Sequence, residues 1–399
     1  MIKEQTAVTF TDTSAPIDTN CIYLVQVMGK TAALDSKMSA ELSVTSGIAK
    51  PVLKTSIDAS GKPELRWQTV EGAVKYEIYR STKSTKGYSL LATVEATGYT
   101  DESVAPGKTY YYKVIAIGEV SKSAESSYVK LSGKCATPQI SVSINEDSGK
   151  PTLTWEKISG AKKYIIYRAT SETGKYSKLG TTTKLTYTDS KATVGVTYYY
   201  KIVANASSSS YSSSYSNIVS SVTICAKPVV KAATVAATGK PQLSWSKVTG
   251  AKEYWILLDV DGQPSFLAST TKLSFIDEAA APGETRKYAV WAINADPVCN
   301  SAMDAYTVTA TCAQPKIKGA VGETGKPEIT ITAVEGATKY VIYRSTSKSK
   351  NYKALDETES LTFTDTTASK GKTYYYKVVA LCEDTESAQS AYTQVKSKS

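Results

Sequence analysis

Histidine is absent from all 399 residues. That removes Ser-His-Asp and Cys-His catalysis together with the commonest metal ligand. No Cys-x-x-Cys occurs among the six cysteines, so structural zinc is not expected. No stretch approaches the roughly 20 consecutive apolar residues of a membrane-spanning helix. No glycine-rich loop leads from a strand into a helix, so the Gly-Lys-Pro triplets are turns and not nucleotide motifs. The first ten residues, Met1 to Phe10, lack the basic start and apolar core of a secretory signal. The expectation is a cytosolic chain or an internal piece of a longer one.

Phenylalanine and methionine number only 4 each, whereas tyrosine reaches 28, and Thr, Val and Ser are abundant. Such a composition favours pleated sheet over helix. The net charge of +10 comes from lysines and arginines scattered among acidic residues, the pattern of solvated strand faces rather than of a nucleic-acid site. It leaves room for attraction to an acidic cell wall or anionic glycan. Carboxylates recur at strand ends and turns, where capping and solvation explain them. No catalytic site, metal or cofactor is expected, nor membrane insertion.

Internal repetition organises the chain. Gly-Lys-Pro recurs at Gly61, Gly149, Gly239 and Gly325, with spacings of 88, 90 and 86 residues. Each triplet leads into an alternating segment: Leu65 and Trp67, Leu153 and Trp155, Leu243 and Trp245, Ile329 and Ile331. A Gly-Ala turn follows, at Gly72, Gly160, Gly250 and Gly336, and then a second alternating strand beginning at Tyr76, Tyr164, Tyr254 or Tyr340. After a strand ending at Asp101, Asp189, Asp277 or Asp365 comes a longer run such as Tyr110 to Ala116, whose alternation turns Tyr110, Tyr112, Val114 and Ala116 inward. Short strands at regular spacing, with turns and no helical period between them, predict an all-β sandwich in each repeat. A period near 88 residues suits one autonomous domain, so the predicted architecture is an extended array of beads on a string. The repeats are expected over 48–134, 135–224, 225–311 and 312–399. Residues 1–47 read as the C-terminal half of one more: Phe10-Thr-Asp12 aligns with Phe363-Thr-Asp365, and Tyr23, Val25 and Val27 with Tyr376, Val378 and Ala380. Strands A to C of that half repeat are missing, which would expose an apolar face and open edges. The rest of the parent polypeptide is therefore expected to lie upstream.

The order Trp67, Tyr76-x-Ile78, Pro106-Gly107-Lys-Thr-Tyr110-x-Tyr112-x-Val114-x-Ala116 resembles the fibronectin type III module, an immunoglobulin-like sandwich, in the version found in Firmicutes surface and secreted proteins. The resemblance implies sheets A-B-E and C′-C-F-G, a core Trp on strand B, and tyrosine-corner residues at Tyr110, Tyr198 and Tyr374. Arg286 stands where the third repeat's corner tyrosine should be, and Ile331 replaces the fourth repeat's core Trp; both changes are expected to alter stability. The resemblance also implies an extracellular or cell-surface location and a non-catalytic spacer or adhesion array with a protein or glycan surface partner. An array of carbohydrate- or cell-wall-binding modules attached to an enzyme is the alternative, and a cytosolic scaffold is a third.

Cys135, Cys225 and Cys312 share one repeat position at the junctions, where Cys serves as a small hydrophobe. In the implied fold, strand A starts at the pole of the F-to-G loop, which brings Cys225 toward Cys299 and Cys312 toward Cys382 as candidate disulfides. Cys21 and Cys135 have no evident partner. Outward tyrosines on strands C and F (Tyr79 and Tyr111, Tyr167 and Tyr199, Tyr343 and Tyr375) read as sheet-stabilising pairs. The candidate ligand-binding residues are Trp255, Leu257, Trp291 and Ile293, which alternation places together on the outer C-F face of the third complete repeat.

Overall fold

The structure is a computed structural model that describes residues 3–260 and 262–399. The described residues are strands and loops with three 3-10 turns of three residues each. No helix among them is long and apolar enough to cross a membrane. The chain divides into two compact units. One holds the chain through Val142 with Leu153–Tyr187 and Tyr199–Ser220, and the other holds Ser143–Thr152, Thr188–Tyr198 and Ser221–Ser399.

The opening segment contributes one hairpin-like pair, β1 (Asn20–Tyr23) and β2 (Leu42–Thr45). The first complete repeat supplies β3 (Lys54–Ile57), β4 (Pro63–Arg66), β5 (Lys75–Ser81), β6 (Ser89–Val94), β7 (Gly98–Thr100), β8 (Thr109–Ile117) and β9 (Val129–Ser132). Its sheets run β3-β4-β7 and β6-β5-β8-β9, which are A-B-E and C′-C-F-G. The second repeat matches it strand for strand, with β10 (Ile140–Asn145), β11 (Lys150–Trp155), β12 (Lys163–Ala169), β13 (Ser177–Thr182), β14 (Thr186–Thr188), β15 (Thr197–Asn205) and β16 (Val219–Val222). So does the third, with β17 (Val230–Thr234), β18 (Pro241–Trp245), β19 (Glu253–Val260), β20 (Gln263–Thr270), β21 (Ser274–Ile276), β22 (Thr285–Ile293) and β23 (Ala305–Thr309). The fourth has β24 (Ile317–Val321), β25 (Pro327–Ile331), β26 (Lys339–Ser345), β27 (Lys353–Thr358), β28 (Thr362–Thr364), β29 (Thr373–Cys382), β30 (Thr385–Glu386) and β31 (Thr393–Lys396), the short β30 being an addition at the F-to-G turn. The all-β tandem sandwich read from the sequence is the fold observed.

Alternation builds each core. In the first repeat Leu65, Trp67, Tyr76, Ile78, Tyr112, Val114 and Ala116 are buried together, with the Trp67 and Tyr76 rings edge to face at 5.2 Å. The strand-C tyrosines are held by their hydroxyls: Tyr76 Oη accepts from the Val70 N–H at 2.9 Å, Tyr254 Oη from Val248 at 2.8 Å, and Tyr340 Oη from Val334 at 2.9 Å. Trp67, Trp155 and Trp245 bury their indole N–H without a hydrogen-bond partner, at a cost of roughly 1–3 kcal/mol for an unsatisfied donor. Ile331 gives up aromatic area in the fourth repeat but also removes that orphaned donor, so its two effects oppose each other.

A buried aspartate at the end of strand E gathers donors in the first, third and fourth complete repeats. Asp101 accepts from Tyr112 Oη at 2.9 Å, from the Arg80 guanidinium at 2.7 Å, and from the Ser103 hydroxyl at 2.7 Å. Asp365 accepts from Tyr376, Arg344 and Thr367 at 2.6–2.7 Å. This corrects the tyrosine assignment. The buried hydroxyl bond belongs to Tyr112, two residues after the expected Tyr110, whose ring lies 4.5 Å beneath the Arg80 guanidinium. Tyr374 does bond near the corner, its hydroxyl accepting from the Ser369 N–H at 3.1 Å. Arg286 also finds a role. In the third repeat strand C carries Leu258 where Arg80 would be, and Arg286 reaches Asp277 from strand F at 2.8 Å, beside Tyr288 at 2.7 Å. The guanidinium has moved from one strand to its neighbour and still meets the same carboxylate.

The opening segment keeps this aspartate and loses the core. Asp12 accepts from Tyr23 Oη at 3.1 Å and from the Ser14 N–H at 2.8 Å, but Phe10, Val25 and Val27 stand exposed. Its expected strand E is not formed, because strand B, its pairing partner in the complete repeats, is missing.

Consecutive repeats meet through recurring contacts. The turn glycines Gly72, Gly160, Gly250 and Gly336 sit against Ile17, Pro106, Val194 and Pro282 of the preceding E-to-F turns, with no space for a Cβ at the first three. The Gly-Lys-Pro triplet holds each exit. Gly61, at φ +80°, offers its carbonyl to the Lys134 N–H at 2.9 Å, and the same bond joins Gly149 to Ile224, Gly239 to Thr311 and Gly325 to Lys398. A side chain at Gly61 would collide with the Lys134 carbonyl. Lys62 then caps the E-to-F turn by donating to the Glu102 and Val104 carbonyls at 2.6 and 2.9 Å. Asp18 occupies a left-handed turn position, at φ +55°, that the complete repeats give to glycine. Its carboxylate accepts from the Ser121 N–H and hydroxyl at 2.7 and 2.6 Å, tying the opening segment to the first complete repeat.

Candidate functional site

The outer face of β19 and β22 differs from its counterparts. Trp255 and Trp291 are directly opposite in the β19-β22 register, their rings edge to face at 5.9 Å. Phe266 on β20 adds a third ring, edge to face with Trp255 at 5.3 Å, and is 59 % exposed. Both indole N–H groups are engaged, Trp255 Nε1 with Glu253 at 2.9 Å and Trp291 Nε1 with the Ser301 carbonyl at 2.7 Å. What the tryptophans leave half-exposed is therefore ring carbon rather than a free donor. At one end of the face Lys287 pairs with Asp259 at 2.6 Å and, by donating to it, holds that carboxyl below the usual range.

One of the four candidate residues needs correcting. Leu257 shares the face by alternation but is buried, at 8 % exposed, and offers a ligand little. It pairs with Phe266 on one side and Ala289 on the other. Ile293 is only half-buried and lies opposite Glu253, at the edge of the aromatic group. Phe266 was the residue missed: strand C′ varies in length between repeats, so no repeat alignment assigns it a face.

On the same face the other repeats carry a lysine among tyrosines. Lys113 lies 4.4 Å over the Tyr88 ring and pairs with Glu125 at 2.6 Å. Lys201 lies 4.1 Å from both Tyr176 and Tyr215, and Lys377 lies 4.8 Å from Tyr352. The expected Tyr79–Tyr111 pairing is not formed, since Tyr79 stands opposite Lys113 and Tyr111 opposite Ser81. Tyr111 instead meets Tyr128 at 5.6 Å, and Tyr375 meets Tyr392 at 5.7 Å. These faces are filled by their own cation–π contacts. The third repeat has Ala289 in place of the lysine, so no lysine at that position covers its rings.

Among the cysteines, Cys312 and Cys382 are joined by a disulfide with their Cα atoms 6.1 Å apart. Cys225 and Cys299 are buried free thiols, and the Cys225 N–H donates to the Cys299 carbonyl at 2.9 Å. No group of three or more His, Cys, Asp or Glu placed to hold a metal occurs among the described residues.

No family model matches the chain. A solved Fn3-like protein from Clostridium thermocellum is 36 % identical over a match covering 21 % of this chain and 91 % of that one, with a TM-score of 0.20. The chain belongs to the fibronectin type III family. The curated relatives of this fibronectin type III array are long proteins. An amylopullulanase from Thermoanaerobacter thermohydrosulfuricus is 28 % identical over 129 residues, 30 % of this chain and 9 % of that protein. Exoglucanase B from Cellulomonas fimi is 26 % identical over 229 residues, 50 % of this chain and 20 % of that protein. The chain thus spans about a tenth to a fifth of the length of the curated relatives it matches.

Proposed function

We propose that this array is a non-catalytic spacer and adhesion segment of a larger extracellular or cell-surface protein that acts on polysaccharide. The observation that carries the reading is the recurring joint: each Gly-Lys-Pro turn holds the exit of its own repeat, and each Gly-Ala turn abuts the repeat before it. Such contacts keep neighbouring repeats at a set spacing, which is what a spacer needs and an independent catalytic domain does not. The likeness to an amylopullulanase and an exoglucanase supports a polysaccharide setting. Spin labels at the exposed positions Lys54 and Thr154, introduced as Lys54→Cys and Thr154→Cys, test the joint of the first two repeats. A single narrow distance distribution is expected, and a broad one would remove the spacer reading.

The aromatic face of the third repeat favours a second role alongside the first, carbohydrate binding at Trp255, Trp291 and Phe266. Pyranose rings present apolar C–H faces that stack on aromatic carbon, and here the indole donors are already satisfied. Titration with pullulan, other soluble glucans and cell-wall glycans is expected to shift tryptophan emission in the native chain and not in a Trp255→Ala, Trp291→Ala double variant. An unchanged spectrum with every glycan would leave the array a spacer.

A further inference from the structure

We propose that Cys225 and Cys299 are a second disulfide site, one that ties the linker entering the third complete repeat to that repeat's F-to-G loop, as the Cys312–Cys382 bridge ties the linker entering the fourth to the end of its strand F. The argument is positional. Each pair joins a linker cysteine, at one shared repeat position, to a cysteine at the F-to-G end of the same repeat. In the third repeat, Asn294 occupies the place that Cys382 holds in the fourth, with its amide 3.9 Å from the Cys225 sulfur. The second cysteine instead comes from the longer F-to-G loop. That loop is drawn to the linker by the backbone bond from the Cys225 N–H to the Cys299 carbonyl, 2.9 Å long. Standard bond lengths and the trigonal carbonyl angle place two Cα atoms joined by such a bond no more than about 6.8 Å apart, whatever the angles at the hydrogen bond. This lies within the range of roughly 4.4–6.8 Å that disulfides span.

The first joint supplies an internal control. There the Cys135 N–H donates to the Tyr211 carbonyl at 2.8 Å, the same bond in the same place, with tyrosine standing where Cys299 stands. Cys135 has the linker position without the partner and is expected to stay reduced.

Oxidation joins the two sulfurs, releases two protons and passes two electrons to a small disulfide oxidant such as oxidised glutathione, which is reduced to two thiols. Cys225 and Cys299 are both fully buried, so small oxidants do not reach them in the closed joint. Burial also raises both thiols above their usual range and keeps the attacking thiolate scarce. The bond is therefore expected to form while the chain folds.

Refolding the whole chain in a glutathione redox buffer, followed by alkylation under denaturing, unreduced conditions and peptide mapping, tests the assignment. Two free thiols, Cys21 and Cys135, and a linked Cys225–Cys299 peptide are the expected result. Cys225→Ala should raise the count to three by freeing Cys299. The same mapping on protein secreted into an oxidising compartment covers the case of poor refolding. Alkylated Cys225 and Cys299 beside an intact Cys312–Cys382 bridge would overturn the proposal, as would Cys225 linked to any other cysteine.

Discussion

Moving the guanidinium of the third repeat back to strand C is the most exacting test of the aspartate cluster. Arg286→Tyr removes the 2.8 Å bond to Asp277 and leaves that buried carboxylate with the Tyr288 hydroxyl at 2.7 Å and the Ala279 N–H at 3.0 Å. A charge-assisted bond to a buried carboxylate is worth about 1.5–3 kcal/mol, and two donors remain. A loss of about 2 kcal/mol is expected, well short of the roughly 3–5 kcal/mol for a fully stranded charge. Leu258→Arg alone places a second cation near the first and is expected to cost on the order of 1 kcal/mol through lost packing and like-charge repulsion. Together the two changes recreate the arrangement of Arg80 and Tyr110 around Asp101, and stability should return to within about 1 kcal/mol of the native chain, a coupling of about 2 kcal/mol. Peptide-resolved amide exchange over residues 285–309 reads this in the intact chain, where about 2 kcal/mol appears as a roughly 30-fold loss of protection in Arg286→Tyr. A double variant that loses the sum of the two single losses would refute the idea that position in space, rather than position in the chain, governs this cluster.

Tyr112→Phe should destabilise the first repeat by about 2 kcal/mol because it strands part of Asp101, whereas Tyr110→Phe should be nearly neutral; thermal unfolding of the two variants decides. Burial opposes ionisation of Asp101 and Asp365, but bonds from Ser103, Arg80 and Tyr112, and from Tyr376, Arg344 and Thr367, outweigh it and hold both carboxyls below the ordinary value of 3.8. Their folded pKa values are thus depressed, so their contribution is complete above the unfolded value and is lost as pH falls below it; unfolding midpoints measured from pH 5 to about pH 2 should drop, and Asp101→Asn should flatten the first repeat's share of the drop. Gly61→Ala, forced into a left-handed turn against the Lys134 carbonyl, is expected to cost more than about 2 kcal/mol, read as early unfolding of the first repeat by calorimetry.

Periodicity in the sequence was enough to place the strands and the inward residues, because a half-buried strand writes its face into every second residue, whereas the sheet order was implied by the family resemblance alone. Tyr112, Val114 and Ala116 were legible for that reason. Alternation does not reveal what lies above a residue, and this is why Leu257 seemed available when it is covered. Nor does it pair hydroxyls with acceptors. Asp101 looked like a strand-end cap, and its bond to Tyr112 depends on strands E and F meeting across the two sheets. The joints were hidden for a related reason. Gly72 and Gly160 announce turns in the sequence, but the residues that crowd them, Ile17 and Pro106, come from the preceding repeat.

The joints also determine how the chain would bear a pull along its length. A linker of loose residues would lengthen before any repeat felt the load. Here the first stretch after Gly133 is bonded immediately, Lys134 to Gly61, Cys135 to the Tyr211 carbonyl and Thr137 to the Ala59 carbonyl at 2.7–2.9 Å. Tension arriving at that linker passes at once into the A-to-B turn of one repeat and the F-to-G loop of the next, so the linker offers almost no slack. At the last joint Cys312–Cys382 puts a covalent link in the same path. Residues 313–381 are thereby shielded from a load carried across the bridge, and a chain pulled from both ends would gain no length from that loop until the disulfide was reduced.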